Sequence, residues 1–122
     1  MNLTLWILQG VLAVVFAGSG AAKSTMSRER LVATGQTGIQ LFPMPVVRFA
    51  AVCEMLAALG LVLPWATGIL PVLTPLAATG LCVVMVGAAW SHSRLGEPRS
   101  VAANTLLFAL ALTVAIGRFA GL

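Results

Sequence analysis

Charged residues are scarce in this sequence. Only 8% of the 122 residues are Asp, Glu, Lys or Arg, whereas 60% are hydrophobic. A soluble domain of this size could not bury so much apolar surface. The scarcity of charge therefore excludes an ordinary water-soluble fold and predicts a membrane protein.

Motifs for metal binding, phosphate binding and nucleophilic catalysis are also lacking. The chain has one histidine and two cysteines, and it shows no CxxC, no paired-histidine spacing and no Gly-rich phosphate loop. Cys53 and Cys82 are solitary thiols in apolar runs, where cysteine usually behaves as a small hydrophobe. A haem would depend on His92 as its axial ligand and is not supported. The few basic residues lack interleaved aromatic residues, which argues against nucleic-acid binding.

Four continuous apolar runs make up most of the chain. They predict helices over about 3–22, 46–63, 70–90 and 101–120, because roughly 17–25 apolar residues cross a bilayer as a helix. The runs do not alternate in hydrophobicity, as membrane strands would. The first run lacks the basic start of a signal peptide and is expected to be retained. The predicted fold is all-α: a polytopic membrane protein built as a four-transmembrane-helix bundle, with 1–122 forming a single domain.

Basic residues predict how the bundle is oriented. They concentrate in loops 23–45 and 91–100, whereas the connection 64–69 carries no charge. The positive-inside rule therefore places both basic loops in the cytoplasm and both termini outside. Arg118 lies on the opposite side and is expected to be an interfacial anchor.

Glu54 is the residue that most strongly suggests a functional site. It lies within the second apolar run, where an ionisable side chain costs about 2.5–3.5 kcal/mol to insert. Small residues such as Ala50, Ala57 and Ala58 share its predicted helix face and favour close packing. Glu54 is therefore expected to face the bundle interior and to have a polar partner there.

Depth in the membrane identifies the candidate partners. Glu54 lies roughly 12 Å from the cytoplasmic start of its helix at 1.5 Å per residue, and Cys82 has a similar depth on the third helix. Lys23 and His92 end the first and third helices, and Asn104 enters the fourth from the same side. These residues predict a polar pocket with Glu54 at its floor and His92 near its mouth. The alternative is that Lys23 and His92 are only interfacial or capping groups.

The chain resembles the DoxX-like membrane proteins over nearly its whole length. Residues 54–64 (EMLAALGLVLP) resemble that family's second helix and 74–89 (TPLAATGLCVVMVGAA) its third. The segments 92–97 (HSRLGE) and 16–23 (FAGSGAAK) resemble the loop after the third helix and the end of the first. The resemblance implies a compact four-helix bundle in the bacterial cytoplasmic (inner) membrane. It also implies Lys23, Glu54, His92 and Glu97 as site positions, while Ala-Val-Cys before Glu54 departs from the family pattern.

Three functional hypotheses follow. In the first, the protein binds a lipophilic ligand, a quinone-like molecule or a lipid, as an accessory or redox-linked membrane subunit. In the second, it is a cofactor-independent intramembrane enzyme of the isomerase or epoxide-opening type, with Glu54 and His92 as acid–base groups. In the third, it is an assembly factor for another membrane protein. No cofactor is evident, and the pocket could be completed by a homo-oligomer or another subunit. Loop 23–45 carries apolar residues that could cover it.

Overall fold

The described part of the chain, residues 2–121, consists of helices joined by short turns. The computed structural model gives the helices as α1 Asn2–Thr25, α2 Arg28–Ala33, a 3₁₀ helix Thr37–Leu41, α3 Met44–Gly60, α4 Leu63–Thr67, α5 Leu73–Arg94 and α6 Pro98–Phe119. Four stretches in residues 2–121 are long and apolar enough to cross a membrane: α1, α3 continued by α4, α5 and α6. The predicted all-helical bundle of four membrane-spanning helices is confirmed.

Proline and glycine set several of the helix ends. The second span breaks after Gly60 and resumes at Leu63, immediately before Pro64. The third begins at Leu73 rather than at residue 70. Leu70 has a φ of 48°, outside the right-handed helical region, and precedes Pro71, which disfavours helical backbone at the residue before it.

The long helices pack as two pairs that meet most closely at one end of the bundle. Helix α1 runs along α3, and α5 runs along α6. The end that carries both termini and residues 61–72 is called here the terminal end, and the end that carries 26–43 and 95–97 is called the loop end. At the terminal end Thr74 Oγ1 donates to the Gly60 carbonyl at 2.7 Å. A Cβ on Gly117 would lie 2.8 Å from Leu5, so α1 and α6 are in close contact there.

A buried arginine closes the terminal end. Arg118 is only 2% exposed; its Nε donates to Gln9 Oε1 at 2.7 Å and its Nη1 to Asn2 Oδ1 at 2.8 Å. Its guanidinium carbon lies 5.5 Å from the Trp6 ring centroid and 4.5 Å from that of Trp65. Arg118 was expected to be an interfacial anchor; the structure instead buries it against residues of α1 and α4.

The connecting segment, residues 26–43, is folded rather than extended. Ser27 caps α2 by accepting a hydrogen bond from the Arg30 backbone amide at 3.3 Å. The Arg28 guanidinium donates to three carbonyls in and after the 3₁₀ helix, most closely to that of Phe42 at 2.7 Å. Leu31 and Ile39 are buried with Val47 of α3 in a small apolar cluster. The segment therefore packs onto the loop end as a compact cover.

Candidate functional site

A cavity of about 530 Å³ lies inside the loop end, between the four long helices and under the connecting segment. Most of its wall is apolar, contributed by residues such as Phe16, Ile39, Val47, Val84 and Leu107. Its polar lining consists of Ser19, Lys23, Gln36, Glu54, His92 and Asn104. Pockets of about 300–1,000 Å³ with apolar walls and a few polar groups are typical of small-molecule sites.

An ion pair between α1 and α3 lies in the wall of this cavity. Lys23 Nζ is 3.1 Å from Glu54 Oε1 and 3.4 Å from Oε2. The Glu54 side chain is fully buried, and that of Lys23 is 14% exposed. Arg48 donates to the Lys23 carbonyl and so holds the end of α1 against α3. Because each charge has its counter-charge, the cost of placing Glu54 inside the bundle is offset.

Close approach of the two helices explains why this pair forms. A Cβ on Gly20 would lie 2.6 Å from Met55 Cγ and 2.8 Å from the Ala51 carbonyl oxygen. Only a glycine fits such a contact, as at small-residue interfaces between membrane helices. Lys23 follows Gly20 by three residues and so lies on the same face of α1. Gly20 therefore allows α1 to lie close to α3 on the face that carries Lys23.

A second polar cluster lies near the mouth of the cavity. His92 Nδ1 is 2.7 Å from Glu97 Oε1, and Thr37 Oγ1 donates to the same oxygen at 2.9 Å. The hydrogen bond with His92, and to a smaller extent that from Thr37, lowers the pKa of the Glu97 carboxyl below its usual range. Glu97 itself is not part of the cavity lining. It connects His92 to the 3₁₀ helix.

The connecting segment is attached to the rest of the bundle by three further contacts. Ser91 Oγ donates to the Gly38 carbonyl. A Cβ on Gly38 would lie 2.9 Å from His92 Nε2, so the glycine backbone rests directly on the imidazole. Gln36 Nε2 donates to Ser19 Oγ of α1 at 3.3 Å. The roof of the cavity is thus bound to both α1 and α5.

Asn104 differs from the other polar lining residues. It is only 9% exposed, and its Nδ2 has no hydrogen-bond partner among the described residues. A buried amide left unpaired costs about 1–3 kcal/mol. Asn104 and Met85 also line a smaller groove of about 220 Å³ between α5 and α6. The two residues therefore separate the main cavity from that groove.

The structure brings together most, but not all, of the sequence-predicted site residues. Glu54, Lys23, His92 and Asn104 line one cavity, and Glu97 contacts His92. Cys82 does not line the cavity; its Sγ lies 3.9 Å from the Phe108 carbonyl of α6. A depth in the membrane similar to that of Glu54 is thus insufficient to place a residue in the cavity, because the direction in which its side chain leaves the helix decides what it contacts.

Sequence reasoning missed the polar residues of the connecting segment and of α1. Ser19 and Gln36 line the cavity, and Thr37 completes the cluster at its mouth. The sequence signal that could have identified Gln36 and Thr37 is the density of Gly and Thr in 34–38, which is typical of an ordered turn. Within residues 2–121, no group of three or more His, Cys, Asp or Glu side chains could hold a metal ion.

Comparison with known proteins identifies one family. The model of the DoxX-like family matches residues 7–114, which include part or all of each of the four long helices and every polar residue of the cavity. No curated protein and no solved structure matches the chain.

Proposed function

We propose that this chain, which belongs to the DoxX-like family, binds a lipophilic small molecule, a quinone-like compound or a lipid, in the cavity around Glu54. It is a small integral membrane protein. In this proposal it acts as an accessory or redox-linked subunit, either as a homo-oligomer or beside another membrane protein, in a bacterial inner membrane with the loop end in the cytoplasm. The observation that carries the binding role is the cavity of about 530 Å³.

The position of the cavity supports a ligand drawn from the membrane. Its walls come from helices long and apolar enough to span a bilayer. The lining residues Val15 and Val46 are 39% and 46% exposed, so the wall of the cavity is not sealed at these positions. A lipophile could therefore reach the cavity from the side without crossing an aqueous phase.

Binding is favoured over acid–base catalysis by the hydrogen bonds of the two candidate catalytic groups. Glu54 pairs with Lys23, and His92 pairs with Glu97. Each group is held in place by its own partner, as expected of polar residues that line a binding cavity. A catalytic pair would be expected to converge on one reacting atom.

The test is to identify what purifies with the protein. Wild type, Glu54→Gln and Glu29→Gln would be purified into nanodiscs, and bound small molecules would be extracted for mass spectrometry. Glu29 is exposed on α2 and serves as the matched carboxylate control. A lipophile retained by wild type and Glu29→Gln and depleted in Glu54→Gln is expected. Identical bulk lipid in all three proteins would contradict a role for Glu54.

A second pair of variants tests the cavity itself. Gly87 lines the cavity on α5, and a Cβ atom added there meets no atom within 4 Å. Gly80 on the same helix is equally open but lies outside the cavity. Gly87→Leu is expected to reduce ligand retention by filling the space, whereas Gly80→Leu should not. Equal retention by both variants would place the ligand elsewhere.

A further inference from the structure

One residue of the cavity lining has a buried side-chain nitrogen without a hydrogen-bond partner. Ser19 is bonded to Gln36, Lys23 to Glu54, and His92 to Glu97. Asn104 is the exception: its side-chain NH₂ is buried and has no partner among residues 2–121. Buried amides in folded proteins are nearly always paired, so an unpaired one calls for a specific explanation.

From this contrast we infer that Asn104 is the specificity residue of the cavity and selects an uncharged lipophile that carries a hydrogen-bond-accepting oxygen, such as a carbonyl. The inference rests on the proposed ligand-binding function and names the class of ligand. The terminal torsion of an asparagine side chain is broad. Rotation about that torsion would present the N–H to a ligand in the cavity that Asn104 lines.

The charges around the cavity argue against an ionised head group. Lys23 and Glu54 neutralise one another at 3.1 Å. A carboxylate or phosphate ligand would have to displace Glu54 from Lys23 and leave a buried carboxylate without its partner, which is strongly unfavourable. A neutral acceptor requires no such exchange, because it only completes the Asn104 amide.

The groove between α5 and α6 offers a place for the apolar chain of such a molecule. Asn104 and Met85 line both the main cavity and this groove, whose other walls include Val86 and Phe108. Val86 is 60% exposed, so the groove opens on the outer surface of the bundle. An oxygen bound at Asn104 would leave an apolar chain free to extend along the groove.

The chain offers two independent reporters for a test by NMR in nanodiscs. Asn2 and Asn104 are the only asparagines, so ¹⁵N-asparagine labelling gives the Asn104 amide together with an internal control that is bonded to Arg118. The ¹³C-labelled methyl group of Met85 reports occupancy of the cavity by any lipophile. The probes are methyl nonyl ketone, undecane and undecanoate, which match in chain length and differ in the head group.

The expected result is a shift of the Asn104 amide with the ketone alone, while Asn2 does not move. The ketone should also bind about tenfold more tightly than undecane or undecanoate, a factor that corresponds to about 1.4 kcal/mol. In Asn104→Leu the Met85 signal should still respond to all three probes, but the preference for the ketone should be lost.

Two different failures can be distinguished. If titrations of the Met85 methyl in wild type show that undecane and undecanoate bind as tightly as the ketone, or if Asn104→Leu keeps the preference, the assignment of Asn104 is overturned while ligand binding stands. If no probe moves either reporter in folded protein, both the assignment and the proposed binding function are overturned.

Discussion

Removing one partner of the Lys23–Glu54 pair should destabilise the protein far more than removing both. Lys23→Met would leave the fully buried Glu54 carboxylate without its counter-charge. Loss of one partner from a buried ion pair costs about 3–5 kcal/mol. Glu54→Leu leaves the lysine, whose side chain is 14% exposed at the end of α1. Its flexible stem can carry the ammonium to the bilayer surface, so this cost should be smaller, about 1–3 kcal/mol.

The double variant provides the decisive comparison. Lys23→Met/Glu54→Leu replaces the pair by apolar side chains, a change that is often neutral or stabilising for buried pairs. It should lie within about 1 kcal/mol of wild type, which gives a coupling free energy of at least about 3 kcal/mol between the two sites. Glu29→Leu, at an exposed position on α2, should change stability by less than about 0.5 kcal/mol.

The measurement is reversible unfolding in mixed micelles, followed by circular dichroism as the fraction of denaturing detergent rises. The free energy of unfolding is compared among wild type, the two single variants, the double variant and the Glu29→Leu control. If the two single changes add to the double within about 0.5 kcal/mol, the groups do not interact in the folded protein and the assigned pair is wrong.

Three further predictions address other parts of the bundle. Gly20→Ala should destabilise the protein by about 1–3 kcal/mol because its methyl group would collide with α3. Gly18→Ala, whose added Cβ meets no atom within 4 Å, should not destabilise it. Equal unfolding midpoints for the two variants would contradict the close approach of α1 to α3. Arg118→Met should lower the free energy of unfolding by about 2–4 kcal/mol, because charge-assisted hydrogen bonds and ring contacts are lost. It should also change the tryptophan fluorescence. Arg99→Met, at an exposed position, should do neither. The pKa of Glu97 is lowered in the folded protein, so its contribution is fully present above the ordinary carboxyl pKa and is lost as pH falls through the lowered folded value. The difference in thermal midpoint between wild type and Glu97→Gln should therefore shrink at acidic pH, and a difference that stays constant from neutral to strongly acidic pH would refute the assignment.

The fold could be predicted from the sequence because its main determinant is local. Four long apolar runs suffice to predict four membrane-spanning helices, since backbone groups in lipid must be satisfied within the helix. The placement of Glu54 in the interior followed from the small residues on its face. Lys23 could be proposed as a partner by depth alone, because the rise per residue of a helix is fixed.

What depth could not predict is the direction in which each side chain points. Cys82 and Glu54 were expected at similar depths, yet Cys82 contacts the α6 backbone instead of the cavity. That outcome depends on how each helix is rotated against its neighbours, which close contacts such as that at Gly20 decide. The burial of Arg118 was missed for a related reason: Asn2 lies 116 positions away in sequence, and no local pattern connects them.

The two ends of the bundle differ in how their helices are held together. At the terminal end, the Gly60 carbonyl accepts a hydrogen bond across the α3–α5 contact and Gly117 admits Leu5, so the helices approach closely. At the loop end, α1 is held to α3 by an ion pair. The connecting segment covers the cavity that lies between the four long helices there. A chain of 122 residues can thus hold a cavity of about 530 Å³ without a larger core, because the packing that stabilises it lies elsewhere in the same helices.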